Sequence, residues 1–61
     1  MIPETQVYLI ARQMFERHGL EAIAQAAHNA QASEKKGDLE DAKEWRHIEA
    51  AMKMMQGPHQ S

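Results

Sequence analysis

Apolar residues recur every three or four positions along most of this chain, and stops at glycine divide the pattern into three segments. In the first, Val7, Ile10, Ala11, Met14 and His18 fall on one face at about 100° per residue, with Tyr8 and Phe15 at its edge. Ile2-Pro3-Glu4 reads as its start, because proline is tolerated at the first helical position and glutamate suits the first turn. A helix over about 3–18 is predicted, and Gly19 ends it. The second helix, about 20–36, places Leu20, Ile23, Ala26, Ala27 and Ala30 on a broad face, flanked by Ala22 and Ala24. Small side chains of this kind let helix axes approach closely, so this helix is expected in the middle, touching both neighbours.

The third helix, about 39–56, carries the clearest amphipathic signal: Ala42, Trp45, Ile48, Met52 and Met55. Gly37 ends the helix before it, and the Asp38 side chain is expected to accept from the free N–H groups of its first turn. Glu40 and Asp41 then put negative charge at the positive end of the helix dipole. Glu49 and Lys53 form a favourable i,i+4 pair. Gly57-Pro58 stops the helix, and 57–61 is expected to be a frayed tail. Short connections favour antiparallel neighbours, so the fold class is all-α, a three-helix antiparallel bundle folded as a single domain over 1–61 around Trp45.

Two groups of apolar residues do not fit this interior. Leu9 lies on the polar side of the first helix with Ile2 roughly above it, and a weaker sector of the third helix carries Ala51, Met54 and His47. With 61 residues, and alanine making up a large share of the 43% hydrophobic content, the interior is thin. Ile2, Leu9, Ala51 and Met54 are therefore expected to form an interface with a second copy, another protein, or both.

Charge and composition narrow the classes of function. A net charge of -2 with mixed signs gives no basic field for a phosphate backbone, so no nucleic-acid partner is expected. The absence of cysteine rules out disulfides and thiolate metal sites. No stretch approaches the roughly 20 apolar residues of a membrane span, and no signal peptide is evident, so a cytoplasmic protein without a membrane partner is expected.

Candidate chemistry is sparse. Glu44-Trp45-Arg46-His47 matches the Glu-x-x-His spacing that supplies two ligands in di-iron helical bundles. With Trp45 and Met52 inward, however, Glu44 lies at the flank and His47 points mostly outward. His18, on the apolar face at a helix end, is placed to donate to the last carbonyls and to benefit from the negative end of the dipole. A metal- or ligand-binding bundle centred on Glu44, His47 and His18 is the alternative to an interaction module. Neither nucleophile constellation nor glycine-rich phosphate loop is present, so no enzyme, cofactor or metal is expected.

Taken together, Val7-Tyr8, Ala11, Met14-Phe15, His18-Gly19, Ala22, Ala26-Ala27, Ala30, Gly37-Asp38-Leu39, Ala42, Trp45-Arg46, Ile48, Ala51 and Met55-Gln56 resemble a family of short uncharacterised proteins from alphaproteobacteria. In that family a His-Gly pair ends the first helix, an alanine-rich helix follows, and a Gly-Asp turn leads to a helix bearing tryptophan. The resemblance implies the helical fold and a bacterial cytoplasmic setting, and it carries over no functional residues. Gly37-Asp38-Leu39-Glu40-Asp41-Ala42 is also similar to the turn of tetratricopeptide repeats. The likeness stops there, because Arg46 stands where those repeats have an aromatic and no second repeat follows.

Overall fold

The computed structural model describes residues 4–56, which form three helices: α1 (Glu4–His18), α2 (Leu20–Lys36) and α3 (Leu39–Gln56). All three pack on one another, so the fold is the all-α three-helix bundle that the periodicity predicts. The expected helical start at Pro3, the expected interface residue Ile2 and the expected tail at 57–61 lie outside the described residues.

The turn between α2 and α3 is the most completely specified part of the backbone. Gly37 sits in the left-handed region (φ 84°, ψ 10°), where an L side chain is strained. Its N–H donates to the Glu34 carbonyl at 3.0 Å, and the Asp38 N–H donates to the Ser33 carbonyl at 2.9 Å. These are the two bonds of a Schellman motif. Asp38 then opens α3 as its sequence position predicts, its Oδ1 accepting from the Asp41 N–H at 3.3 Å. One further bond ties the two helices together: the Ser33 hydroxyl donates to Asp41 Oδ2 at 3.1 Å. Ser33 is buried, 7% exposed.

Between α1 and α2 the connection is a single residue. Gly19 takes φ 63°, ψ -138°, and its carbonyl accepts from the Ala22 N–H at 3.0 Å. Its own N–H still donates to the Phe15 carbonyl at 2.8 Å, in helical fashion. An alanine Cβ at Gly19 or Gly37 would meet nothing within 4 Å, so each glycine is required by its dihedral angles and not by crowding.

The interior is built from Val7 and Ala11 of α1, Ala22 and Ala26 of α2, and Ile48 and Met52 of α3. Ile48 and Met52 are the largest fully buried side chains described. Ala30, Ser33 and Ala42 are buried too, and on their helices lie nearer the Gly37 turn. Trp45 is only partly buried and packs against this interior from its edge, so the centre is Ile48 and Met52 and not the tryptophan.

Two further expectations are corrected. The buried stripe of α2 is Ala22, Ala26, Ala30 and Ser33, rotated from the predicted face, and Leu20 is 62% exposed. The helix shared by the other two is α3, because α1 packs more on α3 than on α2. The reason lies in the side chains: α2 offers a stripe of small residues with Ile23 beside it, whereas α3 presents Ala42, Ile48 and Met52 along with Trp45, Ala51 and Met55.

Candidate functional site

Along α3, His47, Ala50, Ala51 and Met54 follow the i, i+3, i+4, i+7 spacing that aligns side chains on one helical face. Beside them lie Val7 and Tyr8 from the first turns of α1, and the six residues line one groove. Its middle is shallow because Ala50 and Ala51 end at Cβ. Met54, 81% exposed, is the most exposed large apolar side chain described, and Tyr8 is 52% exposed. A second concavity continues from the first, lined by Tyr8, Ala51, Met54 and Met55. Together they form a mostly apolar channel between α1 and α3, with the His47 imidazole and the Tyr8 hydroxyl as its polar groups.

Of the expected interface residues, this channel contains Ala51 and Met54. Ala51 is half-buried against the interior and forms part of the floor, while Met54 stands free. Leu9 is exposed but does not line the channel. Its position, 200° around α1 from Val7, turns it away from α3. Tyr8, read from the sequence as an edge of the interior, takes its place. That substitution was not readable from helical periodicity, since it depends on where α1 lies along α3.

Of the residues of the metal alternative, Glu44 and His47 stand one turn apart on α3, and His18 lies away from them. His18 is exposed, contrary to its predicted place on the apolar face, and sits at the end of α1. The helix start beside His47 is roughly 15 Å away along the α1 axis. His47 is exposed and Glu44 is half-buried, with a polar interaction of its own. Among the described residues no three His, Asp or Glu side chains come together in a way that would hold a metal ion.

Charge on the opposite flank of α3 is organised into a ladder. Glu34 of α2 pairs with Arg46 at 3.6 Å, Arg46 with Glu49 at 3.2 Å, and Glu49 with Lys53 at 3.3 Å. Glu34 is thus a link between α2 and α3. A further depression is lined by Glu21, Ala24, Gln25, His28 and Asn29, all on one face of α2. No described helix is long and apolar enough to cross a membrane. Comparison with family models, curated proteins and solved structures finds no match.

Proposed function

We propose that this chain is a small protein–protein interaction module that acts in the cytoplasm without catalysing a reaction, and that the α1–α3 channel is its docking surface. The observation that carries this reading is the placement of exposed Tyr8 and Met54 on either side of an alanine floor. Burying such apolar area is favourable at roughly 25 cal/mol per Å², and a floor of alanines admits a helix at short axial distance. Methionine adapts its shape to a partner, and an amphipathic helix laid in the channel would use its i, i+3, i+4 anchors. Both another protein and a second copy of this chain suit that surface.

A photo-crosslinking residue placed at position 54, and separately at position 25 on the polar face of α2, tests this in cells and in purified protein. Adducts at 54 and none at 25, together with their loss on Tyr8→Glu, are expected. Absence of adducts at 54, with a monomeric sedimentation mass over a hundredfold concentration range, would remove the channel as a docking surface.

A further inference from the structure

The corner at Gly19 differs from the turn at Gly37 in one respect: a single residue separates two helices that are otherwise ready to join. Upstream, the Gly19 N–H already makes the helical bond to Phe15, and downstream the first residues of α2 are already helical. No side chain caps α2 at its start. Leu20 and Glu21 head a helix whose first N–H groups have no partner within it. Changing φ and ψ of Gly19 alone to helical values would extend one helix from Glu4 to Lys36, roughly 50 Å long. Those N–H groups would then meet carbonyls of α1.

We propose that Gly19 is a swap hinge, and that this chain forms a dimer in which α1 of each copy packs on the α2–α3 hairpin of the other. Straightening carries α1 away from its own α3 and uncovers Ile48 and Met52. The segment with the complementary surface is α1 itself, with Val7 and Ala11 at the spacing that already covers them, so the occupant is α1 of a second copy. The hairpin stays closed meanwhile, because its bonds lie at the far end: Gly37 to Glu34, Asp38 to Ser33, Ser33 to Asp41, and Glu34 to Arg46. Every contact of the closed chain is remade between copies except those at the corner, so hinge conformation and concentration set the balance. The Tyr8–Met54 channel also persists, built in each half from two chains.

Gly19→Ala tests the hinge. Alanine favours the straight helix and is strained at φ 63°, each hinge contributing roughly thirtyfold and the pair about a thousandfold to the dimerisation constant. The chain has no cysteine, so spin labels on Gln6→Cys and Lys36→Cys are unique. The straight helix sets these positions about 45 Å apart, beyond the 38 Å longest extent of the closed molecule. With labelled chains diluted in unlabelled ones, the expected result is a Gly19→Ala dimer with an intrachain distance near 45 Å. Gly37→Ala should leave the dimerisation constant at its wild-type value. The proposal is overturned by a Gly19→Ala protein that stays monomeric, folded or unfolded. It is equally overturned by a dimer whose distance stays under 38 Å, or by Gly37→Ala dimerising to the same degree.

Discussion

Replacing Ser33 by alanine removes one hydroxyl from the α2–α3 seam and leaves the backbone bonds of the turn in place. The hydroxyl donates to Asp41 Oδ2 at 3.1 Å from a position only 7% exposed. A hydrogen bond to a charged group contributes about 1.5–3 kcal/mol, and the half-exposed Asp41 carboxylate, which can turn to water, puts this one at the lower end. Alanine returns about 0.5 kcal/mol through its better helix propensity. The net loss for Ser33→Ala is therefore about 1 kcal/mol, or roughly 4–8 °C in Tm for a domain of this size. Urea denaturation followed by circular dichroism, on Ser33→Ala, Asp41→Ala and the double variant, separates the bond from the other effects of each side chain. A coupling of about 1.5 kcal/mol is expected, because the cycle cancels the helix-propensity change. If Ser33→Ala matched or exceeded the wild-type stability and the coupling were zero, the buried bond would not be what joins these helices.

Met52→Ala should cost about 2–5 kcal/mol, as for other large-to-small changes at a fully buried site. Against a total of about 3–9 kcal/mol for a chain of this length, much of the helical signal should be lost near room temperature. Met52→Leu should cost less than about 1.5 kcal/mol, and equal losses for the two would contradict the packing described. Arg46→Ala removes the centre of the charge ladder, but Arg46 and Glu34 are each 45% exposed at the side chain. Its effect should stay below about 1 kcal/mol and shrink further in 1 M salt; a larger loss indifferent to salt would mean that Arg46 matters through packing.

Helix limits and the turn at Gly37-Asp38 were legible because they rest on local chemistry: two glycines, one aspartate and a period of 3.6. Ala42, Ile48 and Met52 were legible for the same reason, standing on the strongest stripe in the chain. The stripe of α2 was harder to read. A face of alanines has little contrast against its flanks, and the large side chains of Leu20 and Ile23 drew the predicted face toward them, away from Ser33. Periodicity continues the apolar face of α1 through its last turn and so puts His18 on it, whereas the structure leaves that residue exposed. Half of the channel was visible as the sector of His47, Ala51 and Met54. Its other wall, Tyr8, is set by the placement of α1 over α3, and no periodicity within one helix encodes that.

The stripe of Ala22, Ala26, Ala30 and Ser33 also divides the chain by its tolerance of change. Most of the bulk in the interior comes from α1 and α3, with Ile23 beside the α2 stripe, so volume lost at one of their positions can be regained at another, as Met and Leu or Ile and Val exchange. On α2 no such trade exists, since each position is already close to the smallest side chain and any enlargement drives the α2 and α3 axes apart. Sequence drift should therefore be compensatory in two of the helices and nearly forbidden along one line of the third. A library randomised at these four positions should return alanine, glycine and serine almost exclusively, while a library at Val7, Ile48 and Met52 should return many apolar combinations of similar total volume.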